Sequence, residues 1–157
     1  MEVINNASGI GGLLTSFREI VKDSKRVMFI GTAGFCTPFA ELMAYVIRDT
    51  PIEVGFIPDI RHHEAKAIVS TPSGMQIGDD IDHHADTIVL LGGLAMPKMK
   101  IDVDEMKETL DSILEDAENT LVIGVCFQSM FETQCWIGPI DFDYVIDSDI
   151  SISTIKV

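Results

Sequence analysis

The sequence predicts an α/β domain whose sheet is mainly parallel. Short apolar segments typical of buried strands alternate with segments whose apolar residues recur at helical spacing. The helical segments are long enough to act as right-handed crossovers between parallel strands. The 157 residues suffice for one hydrophobic core and are too few for two. Because no repeat, low-complexity tract or linker divides the chain, residues 1–157 are expected to form one domain.

Two helix and strand pairs are predicted in the first third of the chain. The strand "RVMFI" ends at Gly31, and the strand "IEVGFI" ends before Pro58. The helix between them is expected to begin with Thr37 as its cap and Pro38 as its first residue. The apolar faces of the two helices consist of Leu13, Leu14, Phe17, Ile20 and Val21 in the first, and Phe39, Leu42, Met43, Val46 and Ile47 in the second.

The rest of the chain continues the alternation. The segment "AIVSTPSGMQIG" predicts a hairpin, and the apolar run "TIVLLGG" predicts a strand covered on both faces. A helix follows with a capping box at Asp102 and Glu105. After the strand "TLVIGVC", Ser129 and Glu132 form a second capping box, and "DYVID" with "ISISTIKV" predicts a closing hairpin. The expected fold is a three-layer Rossmann-like (flavodoxin-like) sandwich with antiparallel edge hairpins.

Charge and composition exclude several classes of protein. The net charge of -14 argues against binding nucleic acid, because eleven scattered lysines and arginines supply no basic stripe. The N-terminus lacks the pattern of a secretory signal, and the longest apolar stretch, "TIVLLGGLAM", is too short to span a membrane. We therefore expect a cytoplasmic protein that does not insert into membranes. Its three cysteines are expected to be free thiols.

The carboxyl edge of the sheet is the expected ligand site, since open parallel sheets bind ligands where the strand order reverses. Four turns should lie there: Gly31–Thr37, Asp59–His63, Gly92–Lys98 and Cys126–Ser129. The ligand-binding residues predicted on these turns are Gly31, Thr32, Ala33, Gly34, Thr37, Gly92, Gly93, Lys98 and Ser129.

The glycine turn after the first strand suggests an anionic guest. Gly31 and Gly34 let backbone N–H groups approach a ligand, and the helix that begins at Thr37 directs its positive end toward it. The turn matches neither the dinucleotide-binding motif nor the P-loop motif. The alternative interpretation is that its glycines only allow a tight turn from strand to helix. The expected guest is a small anionic or nucleotide-like metabolite, and the sequence identifies no cofactor.

Three segments carry a family resemblance. "GTAGFCTPFAEL", "LLGGLAMPK" and "IGVCFQSMFE" together resemble an uncharacterised family of short archaeal proteins, mainly from methanogens, that is catalogued as a domain of unknown function. The resemblance spans nearly the whole chain. It implies a cytosolic archaeal protein with a Rossmann-like three-layer fold, and it carries no known catalytic residues.

Cys126, Cys36 and His62 are the candidate catalytic residues. Cys36 and Cys126 each follow a predicted strand and precede a helix, where the helix N-terminus would lower the thiol pKa. Cys126 is expected to be the most reactive thiol. The alternative is that both are packed inert thiols, because cysteine is among the most buried residue types. Cys135 lies too far along the chain from Cys126 to share a disulfide or a metal with it.

The histidines occur as two adjacent pairs. His62 and His63 follow a strand and belong on the candidate edge, where Asp59 offers a proton-transfer partner. His83 and His84 precede a strand and are expected on the opposite edge, in a solvated charge cluster. Neighbouring residues of an extended chain point to opposite faces, so neither pair is expected to supply two ligands to one metal ion.

Three hypotheses of function follow. The first is a small-molecule-binding protein, with or without catalysis, whose site combines the Gly31–Thr37 turn with Cys126. The second is a non-catalytic homo-oligomeric module that buries the "GGLAMP" turn, Trp136 and the C-terminal strand against a second copy. The third is a thiolate metal or redox site at Cys36 and Cys126.

Overall fold

The computed structural model describes all 157 residues and contains four helices and one seven-stranded sheet. The helices are α1 (Gly9–Val21), α2 (Thr37–Val46), α3 (Val103–Leu114) and α4 (Met130–Thr133). The strands are β1 (Arg26–Gly31), β2 (Glu53–Pro58), β3 (Lys66–Thr71), β4 (Gly74–Asp80), β5 (Thr87–Leu91), β6 (Leu121–Phe127) and β7 (Tyr144–Ser148). No helix has the length and the apolar composition needed to cross a membrane.

The sheet is mainly parallel, as the alternation of elements predicts. Its strand order is β4-β3-β2-β1-β5-β6-β7. The strands β2, β1, β5, β6 and β7 are mutually parallel, and β3 and β4 form an antiparallel hairpin beside β2. The parallel strands follow the flavodoxin-like order, with the first strand between the second and the third. The predicted fold class is therefore confirmed, with one edge hairpin.

Two apolar cores flank the sheet and make it the middle of three layers. On one face, Phe17 of α1 and Met43 of α2 pack against the sheet. On the other face, Met106 of α3 and Phe131 of α4 pack in the same way. The apolar stripe of α1 is the one that its helical spacing predicts. In α2, Met43 and Ile47 are buried as predicted, whereas Leu42 is exposed and the small residues Ala40 and Ala44 lie in the core.

The strand order reverses between β1 and β5. The chain leaves β1 toward α2 on one face and leaves β5 toward α3 on the other, although the two strands are neighbours. Diverging connections open a crevice at the carboxyl ends of such strands. The ends of β1, β2, β5 and β6 all lie on this edge because the four strands are parallel.

The predicted C-terminal hairpin is wrong. β7 pairs in parallel with β6, and residues 149–157 contain no helix or strand. The segment between β6 and β7 crosses one face of the sheet, where Phe131, Trp136 and Ile140 are buried. This crossover returns the chain in the parallel direction, which a local reading of "DYVID" and "ISISTIKV" does not reveal.

Two of the three predicted caps are also wrong. Cys36, not Thr37, precedes the first residue of α2, and the Thr37 hydroxyl accepts a hydrogen bond from the Gly34 N–H at 3.1 Å. Ser129 makes no capping hydrogen bond. The cap at Asp102 is confirmed, since its carboxylate accepts from the backbone N–H groups of two residues in the first turn of α3.

Candidate functional site

An apolar pocket lies where β1, β5 and β6 end. Its volume is about 140 Å³. A cavity of about 150 Å³ with apolar walls holds a benzene molecule, so the pocket has room for one small ring. Its side walls are Phe35, Phe39, Phe127, Met96 and Met130. No sequence pattern marks these residues as a site, although each lies within a few positions of a strand end or a strand-end turn.

Two aromatic side chains form one wall of the pocket, and a third lies at its rim. Phe39 and Phe127 stack in a tilted arrangement with ring centroids 5.3 Å apart, and both are partly buried. Phe35 stands at the rim with 57% of its surface exposed. An exposed phenylalanine beside an apolar cavity provides surface that a guest molecule would cover.

Close packing explains three of the predicted glycines. A methyl group at Gly31 would lie 2.4 Å from Cys36 Cβ, and one at Gly92 would lie 2.5 Å from Cys126 Cβ. A methyl group at Gly93 would lie 2.6 Å from Cys36 Sγ. These glycines therefore allow the two cysteines to pack against the strand ends.

Gly34 has a different role in the same turn. Its φ of +82° lies in the left-handed region, and nothing within 4 Å would obstruct a side chain there. The turn thus needs glycine for backbone conformation at Gly34, while Gly31 is needed for close packing.

The loop between β1 and α2 carries polar groups without protein partners. The backbone N–H groups of Ala33, Phe35 and Thr37 donate to no acceptor in the chain, whereas the Cys36 N–H donates to the Thr32 carbonyl at 2.8 Å. The Thr32 hydroxyl is buried without a hydrogen-bond partner. Since these donors cluster at the N-terminus of α2, the loop has the chemistry of an anion site next to the apolar pocket.

Burial makes Cys36 an ordinary thiol and not an activated one. The side chain is 3% exposed at the base of the pocket. Loss of solvent raises the pKa of the Cys36 thiol, and the backbone amides of Thr32 and Gly93 offset only part of that rise. The expected lowering of this pKa by the start of α2 is therefore wrong.

Cys126 is held still more firmly in the protonated form. Its thiol donates to the Asp147 carboxylate at 3.4 Å. Burial and then the negative charge of Asp147 raise the pKa of Cys126 to about 11, against the backbone N–H groups of Phe131 and Met130. The expected lowering of the Cys126 pKa is wrong as well, because α4 has only four residues and β7 brings a carboxylate to the thiol.

Asp147 also accepts hydrogen bonds from Ser129, one of the predicted ligand-binding residues. The Ser129 N–H and hydroxyl each donate to the Asp147 carboxylate at 2.9 Å. Ser129 and its neighbour Gln128 both adopt left-handed backbone conformations, with φ of 54° and 56°. Asp147 therefore stabilises an uncommon turn at the end of β6, a role that depends on the pairing of β6 with β7 and that no local sequence signal indicates.

The two buried cysteines do not form one site. β5 lies between β1 and β6, so the strands that precede the cysteines are not neighbours. Cys36 packs into the core on the α2 face, and Cys126 packs into the core on the α3 face. Cys135 is exposed. No group of three or more His, Cys, Asp or Glu side chains is arranged to hold a metal ion.

All four histidines meet on one side of the molecule, so the expected separation of the two pairs is wrong. The ring centroids of His62 and His63 are 4.0 Å apart, and those of His62 and His83 are 4.7 Å apart. His84 stacks on His83 at 4.3 Å. Nδ1 of His62 is buried without a hydrogen-bond partner.

The path of the chain after β4 brings the pairs together. The Ile81 N–H donates to the Ala65 carbonyl at 3.1 Å, at the end where β3 begins. Further on, the Asp86 carboxylate accepts from the backbone N–H of Arg26 at 2.8 Å, at the start of β1. Residues 81–86 therefore run from one edge of the sheet to the other, and His83 lies along that path.

Asp59 does not pair with a histidine. Its carboxylate accepts from Arg61 Nε at 3.1 Å, and Arg61 also reaches Glu64 at 3.0 Å. Arg61 is therefore neutralised within its own turn. Lys98, the predicted cation of the third turn, is exposed at the same edge of the sheet as the pocket.

A second, more polar groove lies on the other side of the Gly34 turn. Its volume is about 470 Å³, and it is lined in part by Ala33, Thr37, His63 and the ion pair of Lys66 with Asp80. The predicted residues Ala33 and Thr37 face this groove, whereas Gly92 and Gly93 line the apolar pocket. The turn from Gly31 to Thr37 separates the two concavities.

Comparisons with known proteins identify relatives of this chain. The family described as "Uncharacterized protein conserved in archaea (DUF2124)" matches residues 8–151. The chain is 41% identical to an uncharacterised protein of Methanocaldococcus jannaschii over 156 residues, covering 98% of this chain and 93% of that protein. It is 38% identical to an uncharacterised protein of Methanothermobacter thermautotrophicus over 150 residues, covering 96% and 95% of the two chains.

A solved structure supports the same relationship. The crystal structure of a protein of unknown function from Methanothermobacter thermautotrophicus superposes with a TM-score of 0.93 at 36% identity, covering 100% of this chain and 99% of that chain. The resemblance that the sequence carries to an uncharacterised archaeal family is therefore confirmed. The chain belongs to the archaeal family of uncharacterised proteins designated DUF2124.

Proposed function

We propose that this protein binds a small anionic molecule that carries one ring, at the carboxyl edge of the sheet. The observation that carries the proposal is the apolar pocket of about 140 Å³ at the point where the strand order reverses. The ring of the guest enters between Phe35, Phe39 and Phe127. Its anionic group lies against the loop from Gly31 to Thr37.

A free donor of that loop supports the anionic part of the proposal. The Phe35 backbone N–H has no acceptor and belongs to the pocket wall at the start of the ten-residue helix α2, whereas Ala33 and Thr37, whose N–H groups are also free, line the polar groove on the other side of the turn. An anion gains both hydrogen bonds and a favourable interaction with the helix dipole at such a place. Lys98 supplies a positive charge on the same edge, in a chain whose net charge of -14 otherwise repels anions.

Binding is the function that the site supports best, and catalysis stays a prediction. The Cys36 thiol at the base of the pocket and the Cys126 thiol on the other face of the sheet both have raised pKa values, so at neutral pH neither provides the thiolate that a nucleophile needs. A thiolate metal or redox site is disfavoured for the same reason and because the two cysteines lie on opposite faces of the sheet. A catalytic role of His62 likewise stays a prediction.

Titrations with three probes test the proposal. Benzoate combines a ring with a carboxylate, benzyl alcohol keeps the ring without the charge, and acetate keeps the charge without the ring. We expect benzoate to shift the amide resonances of residues 33–37 and 92–93, benzyl alcohol to bind more weakly at residues 92–93, and acetate to have no effect at the same concentration. Uridine monophosphate, in which ribose joins a pyrimidine ring to a phosphate, tests the nucleotide-like ligand.

A pair of matched variants localises the binding. Met130→Trp fills the pocket and should abolish the benzoate shifts. Leu42→Trp adds the same side chain at an exposed position of α2 outside the pocket and should leave them unchanged. Equal binding of benzoate to both variants, or shifts confined to residues 79–86, would contradict the proposal.

A further inference from the structure

The C-terminal segment, residues 150–157, is an apolar strand-like sequence with no surface of its own chain to cover it. Ile152 is 82% exposed and Ile155 is 81% exposed. Five of the eight residues in "ISISTIKV" are β-branched, which is a composition that favours extended strands. Apolar side chains this exposed are more stable when they are buried against a partner.

The edge of the sheet next to this segment is open. β7 is the last strand in the order, so one side of it has no neighbouring strand. Tyr144 and Val145 on β7 are exposed. An open edge presents unpaired backbone N–H and C=O groups that pair readily with another extended chain.

The segment does not reach that edge within its own chain. The Gln128 N–H donates to the Ser148 carbonyl at 3.0 Å, and Gln128 Nε2 donates to the Ile150 carbonyl at 3.2 Å. Gln128 follows β6, so these two bonds hold the chain on the inner side of β7, opposite the open edge. The residues that follow Ile150 then extend away from the fold instead of turning back into a hairpin.

The C-terminal segment and the open edge of β7 carry opposite charges. Lys156 is the only charged side chain in residues 150–157. The strand β7 and its flanks carry three carboxylates. Asp143 and Asp147 accept hydrogen bonds from β6 and the turn that follows it, and they keep their negative charge, while Asp149 is exposed. A cationic extended segment is therefore suited to an acidic edge, which on its own disfavours the direct pairing of two β7 strands.

We propose that residues 150–157 of one copy add to the open edge of β7 in a second copy, and that the exchange is reciprocal in a homodimer. The occupant is a second copy because each chain carries both the open edge and the exposed segment, and a two-fold exchange satisfies both at once. Each sheet thereby gains an eighth strand. This proposal does not depend on the proposed ligand.

Light scattering on the full-length chain tests the proposal. We expect twice the mass of one chain for the wild type. The double variant Ile152→Ser/Ile155→Ser removes apolar surface without a change of charge and should weaken the dimer by at least about tenfold. The matched control Ser151→Ala/Ser153→Ala changes the same segment and should leave the dissociation constant within about twofold. Lys156→Glu should weaken the dimer most at low salt.

Hydrogen exchange locates the contact. In the wild type, the amides of Tyr144–Ser148 should become more protected as the protein concentration rises, and the Ile152→Ser/Ile155→Ser variant should lose this dependence. A monomeric wild type at all concentrations would overturn the proposal, as would a dimer without added protection in β7. Equal weakening by the isoleucine and serine variants would also overturn it.

Discussion

Cys126 and Asp147 occupy paired positions on the parallel strands β6 and β7, and the Cys126 thiol donates to the Asp147 carboxylate at 3.4 Å. The register of the two strands sets this contact, which joins residues 21 positions apart in the chain. A carboxylate beside a buried thiol disfavours the thiolate, because two negative charges would share a site with little water. The thiol that the sequence presents as the best nucleophile is therefore the one that the fold keeps protonated.

The order in which the cysteines react should follow exposure. Cys135 is exposed, whereas Cys36 and Cys126 are buried. We expect limiting iodoacetamide at neutral pH to label Cys135 first, with the other two labelled only after unfolding. Peptide mass mapping measures the order, and labelling in concentrated guanidinium chloride, where all three should react, is the control. Early labelling of Cys126 in the native protein would restore the sequence-based expectation.

Alkaline pH should destabilise the protein through Cys126. Its folded-state pKa of about 11 lies above the value of 9.0 for an unperturbed thiol, so between these pH values the unfolded chain loses the proton that the native state keeps. The contribution of Cys126 to the free energy of unfolding is fully present below pH 9. About 2 to 3 kcal/mol of that free energy is lost by pH 11. Urea unfolding of the wild type and of Cys126→Ala measures the difference. Parallel pH profiles for the two proteins would contradict this prediction.

Acid should destabilise the protein through His83. Burial lowers the pKa of His83, the nearby His84, His62 and His63 lower it further, and Asp82 opposes them. A histidine with a lowered folded-state pKa binds its proton first in the unfolded chain, so stability falls as the pH drops below about 6.5. Unfolding free energies between pH 7 and pH 5 should therefore decrease more steeply in the wild type than in His83→Gln. Equal slopes of unfolding free energy against pH in the two proteins would exclude a role of the His83 ring in this pH dependence.

Gly92 should tolerate no side chain. A methyl group there would lie 2.5 Å from Cys126 Cβ and 3.0 Å from its Cα, and the backbone at the end of β6 cannot move aside without disturbing the pairing. We expect Gly92→Ala to cost about 1 to 3 kcal/mol of unfolding free energy. Gly11→Ala is the matched control, since nothing lies within 4 Å of that position in α1. The control should gain about 0.5 to 1 kcal/mol from helix propensity, and a similar loss in both would refute the packing argument.

The sequence by itself determined most of the elements and the edge at which the apolar pocket lies. Helical spacing identifies α1, α2 and α3, and the runs "RVMFI" and "TIVLLGG" identify the buried strands, because these signals depend only on neighbouring residues. The carboxyl edge follows from the alternation of strands and crossovers. The glycines at positions 31, 92 and 93 were visible as well, but their packing partners were not.

Only the tertiary structure decided which distant residues meet. The direction of β7 depends on how the preceding crossover, residues 128–143, packs on one face of the sheet, and that direction brings Asp147 to Cys126 and leaves an open edge. The meeting of His62 with His83 depends on the path of residues 81–86 across the sheet. The pKa of a thiol or an imidazole is then set by burial and by neighbouring charges, which are properties of the packed fold and not of local sequence.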